Sequence, residues 1–234
     1  MFQFKQFAVD QSGCAMKINT DGVLLGALAN THAPKQILDI GTGTGVIALM
    51  LAQRFENAFI DALEIDKSAA STASQNLENS KFHNRLSSYT VAFQDFFLKY
   101  TYKKYDLIVS NPPFYINSLR SPEDRLNTAK HANESFFEDL LSCVKNHLCP
   151  QGIFWIIVPL DTSALIKKLA STNGLKLNQI IEVRSYPDSE PHRQIIAFSL
   201  EEYYITPTNF VIYESPKIYT EQYKTTLKNF FTIF

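Results

Sequence analysis

Short apolar runs alternate with helix-length stretches along most of the chain from residue 36 onward. The apolar runs predict strands at residues 36–40, 58–65, 88–93, 105–110 and 153–158. The stretches between them predict helices at residues 46–54, 67–79, 134–147 and 162–171. Two later runs, residues 176–186 and 193–202, are joined by a polar turn, which predicts an antiparallel pair at the sheet edge. We therefore expect an α/β fold, doubly wound around a mainly parallel seven-stranded sheet.

The two ends of the chain lie outside this alternation. Residues 1–30 mix aromatic positions with a short apolar helix at residues 21–29, which predicts a lid or extension packed on the main domain. Residues 31–202 form that domain. Residues 203–234 are rich in Tyr, Phe and Thr, and we interpret them as a C-terminal extension with a strand and a terminal helix.

Length and composition limit the class of protein. The chain has 234 residues, 45% of them hydrophobic and 19% charged, which suits one well-cored globular domain. The formal net charge of −1 argues against a protein that coats nucleic acid, yet permits an enzyme with a local basic patch. Three unevenly spaced cysteines, Cys14, Cys143 and Cys149, indicate free thiols and no metal site. No apolar run reaches the ~20 residues of a membrane span. The free thiols fit a reducing cytoplasm, and we expect a cytoplasmic monomer.

A glycine-rich turn follows the first core strand and opens a helix. Residues 39–45 read DIGTGTG, and the glycines Gly41, Gly43 and Gly45 permit positive φ and the close approach of a ligand to the backbone. About 20 residues later the second strand ends at Glu64 and Ile65. A carboxylate at that place can accept hydrogen bonds from both hydroxyls of a ribose.

Two cofactor classes fit this turn. Residues 43–48 satisfy the dinucleotide pattern GxGxxA, so a nicotinamide enzyme is one interpretation. Asp39 favours the other, because a carboxylate beside the turn would repel a diphosphate but attract the ammonium group of S-adenosylmethionine. The run resembles the first motif of Rossmann-like methyltransferases. That resemblance implies that Asp95 accepts from the cofactor's adenine amino group and that Phe96 packs on its ring, although a polar residue after a strand is otherwise usually a helix cap.

The segment after the fourth core strand carries the candidate chemistry. It consists of Asn111, Pro112, Pro113 and Phe114. Asn111 offers a side-chain carbonyl acceptor, the prolines leave backbone carbonyls without competing donors, and Phe114 offers a stacking face. Methylation of a planar amino group needs such a set, since two acceptors on its hydrogens steady the charge that develops on nitrogen. A proline turn that merely ends a strand is the alternative.

The NPPF motif resembles amino methyltransferases that act on adenine, cytosine or protein glutamine. Residues 4–7 (FKQF), 14–18 (CAMKI), 20–27 (TDGVLLGA), 117–122 (NSLRSP) and 129–131 (AKH) further resemble the bacterial family that methylates adenine 37 of a valine tRNA on N6. The resemblance implies S-adenosylmethionine as cofactor and the tRNA anticodon loop as partner. It also places Lys17 and Asp21 against the cofactor pocket, whereas their charge pattern alone would predict surface positions.

Residues 115–133 are predicted to form a long loop beside the site. Arg120, Arg125, Lys130 and His131 could there hold RNA phosphates or flank a flipped base, while the acidic residues of the same segment fit a solvated loop equally well. Besides the nicotinamide interpretation of the glycine turn, two alternatives to tRNA methylation remain open at this stage. One is protein glutamine methylation, and the other is a binding protein that has kept the fold but lost catalysis.

Overall fold

The structure is a computed structural model that describes residues 1–113 and 122–234, with side chains described again from residue 134 onward. The strands are β1 (Phe2–Gln3), β2 (Ala8–Val9), β3 (Gln36–Ile40), β4 (Phe59–Glu64), β5 (Leu86–Thr90), β6 (Tyr105–Ser110), β7 (Leu148–Val158), β8 (Lys176–Arg184), β9 (Pro191–Ser199), β10 (Thr208–Val211), β11 (Tyr213–Ser215) and β12 (Ile218–Tyr219). The helices are α1 (Thr20–Leu28), α2 (Val46–Arg54), α3 (Lys67–Glu78), α4 (Phe93–Lys99), α5 (Pro122–His147), α6 (Leu160–Thr172) and α7 (Glu221–Leu227).

One large sheet organises the protein and confirms the predicted α/β fold. Its strand order is β10-β8-β9-β7-β6-β3-β4-β5. All neighbouring strands in it pair in parallel except β9, which pairs antiparallel with both β7 and β8. The carboxyl ends of the parallel strands β3, β4 and β6 therefore meet at one edge of the sheet, where ligands bind in folds of this kind.

Two details of the sheet differ from the prediction. The sheet has eight strands, because β10 pairs in parallel with the end of β8 through Phe210 and Val183. The antiparallel pair β8 and β9 consequently does not form the edge, since β10 covers β8 and β9 lies inside the sheet. A strand was expected within residues 203–234, but its position in the sheet was not predicted, because only Phe210 of the four residues of β10 is buried and β10 has almost no hydrophobic pattern.

The predicted loop at residues 115–133 is also wrong over most of its length. Helix α5 begins at Pro122, twelve residues before the predicted helix at residue 134. Proline is tolerated in the first turn of a helix, so it marks a beginning here and not a break. The polar composition of this first half hid the helix, because the prediction relied on apolar periodicity.

Two hydrophobic clusters sandwich the sheet. Successive residues of β7 point to opposite clusters: Trp155 belongs to one and Phe154 to the other, as the alternation of a pleated strand requires. The terminal segments both join the first cluster, which contains Phe4 near the start and Leu227 near the end of the chain. The backbone amide of Lys5 donates to the carbonyl of Phe230 at 2.7 Å, so the two ends of the chain are hydrogen-bonded together.

Candidate active site

The turn between β3 and α2 takes a backbone shape that only glycine adopts without strain. Gly41, Gly43 and Gly45 have φ of 74°, 57° and 82°, all in the left-handed region. A Cβ added at Gly41 or Gly43 would meet no atom within 4 Å, so the turn presents bare backbone to open space. Gly45 instead caps α2 and faces Leu77, 3.3 Å from where its Cβ would be.

Asp39 lies beneath this turn and does not line the cavity. Its side chain is fully buried, and its Oδ2 accepts a 2.6 Å hydrogen bond from the hydroxyl of Thr42. Burial raises the pKa of Asp39 to about 7, against the lowering effects of the Thr42 hydroxyl and the nearby Ala48 backbone. Its Oδ1 is buried without a hydrogen-bond partner among the described residues. Through Oδ2 Asp39 supports the turn, and its contact with the cofactor's ammonium group stays a prediction.

Glu64 closes the turn from the end of β4. Its Oε2 accepts from the Gly43 amide and its Oε1 from the Asp66 amide, both at 2.9 Å. The carbonyl of Leu63 accepts from the Gly41 and Thr42 amides at 2.9 and 2.8 Å. These bonds fix the glycine backbone against the neighbouring strand, so the surface that it offers to a ligand is preorganised.

A cavity of about 410 Å³ opens over the carboxyl ends of these strands. Its wall comes from the N-terminal segment, the glycine turn, the end of β4, the start of α4, the end of β6 and one aromatic side chain of α5. The lining residues are Cys14, Ala15, Met16, Ile40, Gly41, Gly43, Leu63, Glu64, Ile65, Asp66, Ala69, Val91, Ala92, Phe93, Gln94, Ser110, Asn111, Pro112, Pro113 and Phe136. A nucleoside-sized ligand would fit such a space.

Asn111 lines this cavity and carries an unused acceptor. It directly follows β6, and the preceding Ser110 is fixed by a 3.0 Å hydrogen bond from its hydroxyl to the carbonyl of Ile40. The Oδ1 atom of Asn111 is buried and has no hydrogen-bond partner among the described residues. Helix α1 lies behind the side chain, since a Cβ at Gly22 would be 3.7 Å from Asn111 Nδ2. A buried acceptor without a donor is costly unless a ligand supplies one.

Asp95 and Phe96 lie away from the cavity. Helix α4 begins at Phe93, so residues 93–96 follow helical geometry and successive side chains point in different directions. Asp95 is exposed, and Phe96 is buried in the core against the rings of Tyr89 and Tyr100. Phe93 and Gln94, which the sequence analysis passed over, line the cavity instead.

The N-terminal segment reaches the cavity through residues other than the expected pair. Cys14, Ala15 and Met16 line it, while the Lys17 amine donates to the carbonyl of Gln11 at 2.6 Å. Asp21 forms a 2.8 Å ion pair with Arg193 and lines a neighbouring cavity. The family resemblance of residues 14–18 was the signal that could have identified the three lining residues.

The remaining predicted site residues are Phe114, Arg120, Arg125, Lys130 and His131, whose side chains lie outside the described residues. Within the described parts of the chain, no three His, Cys, Asp or Glu side chains are grouped so that they could hold a metal ion. No helix in those same parts is long and apolar enough to cross a membrane.

Comparison with known proteins defines the class. Residues 17–172 match the family model described as "Methyltransferase small domain". A predicted O-methyltransferase from Agrobacterium tumefaciens superposes with a TM-score of 0.70 over 90% of this chain and 96% of that chain, at 17% identity. A methyltransferase from Pyrococcus furiosus superposes with a TM-score of 0.54 over 81% and 90%, at 21% identity. The structural likenesses concern the fold, and the fold together with the family match defines a methyltransferase.

Closer relatives define the family within that class. A protein from Pedobacter heparinus is 47% identical over 100% of this chain and 98% of its own length, and is named tRNA1(Val) (adenine(37)-N6)-methyltransferase. A protein of the same name from Bacteroides thetaiotaomicron is 39% identical over 98% of this chain and 96% of its own. The chain belongs to the tRNA1(Val) (adenine(37)-N6)-methyltransferase family.

Proposed function

We propose that this chain transfers a methyl group from S-adenosylmethionine to the N6 amino group of adenine 37 in a valine tRNA. The unpartnered Oδ1 of Asn111 at the cavity wall is the observation that carries the proposal, because an exocyclic amino group is the kind of donor it lacks. The names of the relatives supply the particular nucleotide. We also propose that the protein acts as a monomer in the cytoplasm, where its tRNA substrate is found.

The cavity residues fit the proposed cofactor. The open faces of Gly41 and Gly43 leave room for a ligand against the backbone, and Glu64 offers carboxylate oxygens for ribose hydroxyls. Phe93 offers an apolar face for an adenine ring, and Gln94 an amide for its polar edge. When bound, S-adenosylmethionine supplies an electrophilic methyl group on its sulfonium.

The chain's own residues position the acceptor nitrogen. Asn111 Oδ1 accepts a hydrogen bond from one N–H of the amino group. The segment of Pro112 and Pro113 lacks backbone donors and offers a carbonyl that accepts a hydrogen bond from the second N–H. These two acceptors direct the nitrogen lone pair into the cavity and stabilise the positive charge that develops on it. The excess proton then leaves to water, so no side-chain base is required. Stacking of the base on Phe114 is part of the proposal and rests on the sequence.

Replacement of Asn111 by alanine tests this role. We expect Asn111→Ala to reduce kcat by about 100-fold, the usual effect of removing one preorganised polar contact. The Kd for S-adenosylmethionine, measured by calorimetry, should stay within about twofold. Asn57→Ala, at an exposed asparagine outside the cavity, is the matched control and should leave both values unchanged. Near-normal turnover of Asn111→Ala would remove this side chain from the mechanism.

Two further measurements test the cofactor and the substrate. Titration with S-adenosylmethionine and with NAD separates the methyltransferase from the nicotinamide interpretation, and binding of NAD alone would refute the proposal. Mass spectrometry of nucleosides from purified valine tRNA, with and without the gene, should show N6-methyladenosine only when the gene is present. An unchanged level, together with loss of methylglutamine from a protein, would favour the glutamine alternative, which uses the same pair of acceptors.

A further inference from the structure

A second cavity, of about 620 Å³, adjoins the first. The two share Met16 and Pro113 as a common wall, so no other described residue needs to separate their occupants. The rest of the second wall comes from the start of α1, from Ser185 after β8 together with the start of β9, and from Ile212 and Tyr213, just before and at the start of β11. Three distant segments of the chain therefore meet beside the proposed methyl-transfer site.

Arg193 is the charged anchor of this second cavity. Its Nε donates to Asp21 Oδ2 at 2.8 Å and its Nη1 to the carbonyl of His192 at 2.9 Å. These two bonds fix the plane of the guanidinium. Because Asp21 lines the same cavity, the fixed positive charge is already accompanied by a negative one.

The rest of this wall combines uncharged polar side chains, two rings and the aliphatic side chain of Ile212. Thr20 and Ser185 carry hydroxyls that can both donate and accept hydrogen bonds. Tyr213 is held between the rings of Tyr186 and Tyr219, at centroid distances of 5.8 and 5.0 Å, which makes it a rigid part of the wall. The ring of His192 completes the wall beside Arg193.

This chemistry suits a nucleobase better than a phosphate. A phosphate would approach the Asp21 carboxylate together with the guanidinium and would be repelled by it. A neutral base meets no such repulsion. Bases of single-stranded RNA stack on guanidinium planes and aromatic rings and use their edges for hydrogen bonds, which the hydroxyls of this wall can satisfy.

We propose that the second cavity binds the base of the nucleotide next to the target adenine in the acceptor RNA, with Arg193 as a specificity-determining residue. The inference rests on the proposed function, because it assumes that the acceptor amino group lies against Asn111. A flipped adenine with its amino group against Asn111 and its neighbour in the second cavity would lie close together, because Met16 and Pro113 are the described residues that line both cavities. Binding of the neighbouring base would hold the single strand in the register that brings the target to the methyl donor.

An abasic substitution in the RNA tests the occupant. The acceptor is an anticodon stem-loop of valine tRNA in three forms: intact, abasic on the 5′ side of adenine 37, and abasic on its 3′ side. We expect kcat/KM of the unmodified enzyme to fall about tenfold or more for one of the two abasic forms, which is within the range for loss of a stacked base. The variant Arg193→Gln should lose about as much on the intact RNA and little more on that abasic form.

Arg184→Gln is the matched control. Arg184 is about as exposed as Arg193 (25% against 27% of the side chain), is also paired with a carboxylate, and lies outside the second cavity. It should respond to the abasic RNA as the unmodified enzyme does, and all variants should keep the same Kd for S-adenosylmethionine. His192→Ala, at an exposed side chain of the same wall, provides a second variant that does not break the Asp21 ion pair.

The outcomes separate the two proposals. A combined loss in kcat/KM that is smaller than the product of the separate losses for Arg193→Gln and the abasic RNA supports a base bound at this cavity. If the fold-losses in kcat/KM caused by Arg193→Gln and by the abasic RNA multiply when the two are combined, they are independent and the inference is overturned. An enzyme equally active on all three RNAs would overturn it as well. Adenine methylation would stay in place in both cases. An unmodified enzyme that binds S-adenosylmethionine but methylates none of the three RNAs would refute the proposed function, and the assigned occupant with it.

Discussion

The buried carboxyl group of Asp39 gives the protein a specific dependence of stability on pH. Its pKa is 3.8 in an ordinary environment and about 7 in the folded chain, because burial disfavours the charged form. Well below pH 3.8 the group is protonated in both states and contributes nothing. Between pH 4 and 7 the unfolded chain releases the proton while the folded chain retains it, so the folded state loses relative stability as the pH rises. Above pH 7 the full penalty applies.

The size of this effect follows from the two pKa values. A difference of about 3 units corresponds to about 4 kcal/mol, since each unit is worth about 1.4 kcal/mol. The variant Asp39→Asn cannot ionise and should lack this part of the pH dependence. Its unfolding free energy, relative to the unmodified chain, should therefore rise by up to about 4 kcal/mol between pH 4 and 8. Any change in the hydrogen bond from Thr42 adds an offset that does not vary with pH.

Urea unfolding of the cofactor-free protein at several pH values measures the effect. Asp95→Asn, which removes an exposed carboxyl group of α4, is the control for loss of a carboxylate outside the core. If the difference between Asp39→Asn and the unmodified chain stays constant from pH 4 to 8, Asp39 titrates alike in both states. In that case our interpretation of it as a buried, proton-retaining support of the glycine turn is wrong.

Two other substitutions test the cavity wall. Gly43→Ala should destabilise the fold by about 1 kcal/mol, because φ is 57° at this position. It should also weaken cofactor binding, because the added Cβ enters the cavity. An unchanged cofactor Kd in calorimetry would contradict this. Gln94→Ala should raise the cofactor Kd about 2- to 10-fold, the net value of one hydrogen bond, whereas Asp95→Ala should leave it unchanged. The reverse order would restore Asp95 as a cofactor contact.

The core of the fold was predictable from its hydrophobic pattern. Strands β3 and β6 and helix α2 have the predicted bounds, because each combines a continuous apolar run with a clear stop such as the glycine turn or the prolines after Asn111. The position of strand β10 and the first half of α5 were not predicted. Strand β10 has only one buried residue, and the first half of α5 is polar. The structure of both therefore depends on neighbours that are far away in sequence.

The candidate site was predictable where backbone conformation decides it. Gly41 and Gly43 line the cavity because a turn with positive φ at this place exposes the backbone, and sequence spacing alone indicates that turn. Asp95 and Phe96 show where such reasoning ends. Their orientation depends on the residue at which α4 begins, and a shift of two residues turns a side chain away from the cavity.

The position of β9 inside the sheet has a consequence for synthesis of the chain. Strand β8 precedes β9 in sequence but contacts the rest of the sheet only through it, while β10 in turn depends on β8. As the chain leaves the ribosome, β3 to β7 can therefore assemble with their helices first. Strand β8 has to wait until residue 199 has emerged. The glycine turn and Asn111 belong to the part that can form early, whereas the wall containing Ser185, Arg193 and Tyr213 is completed last.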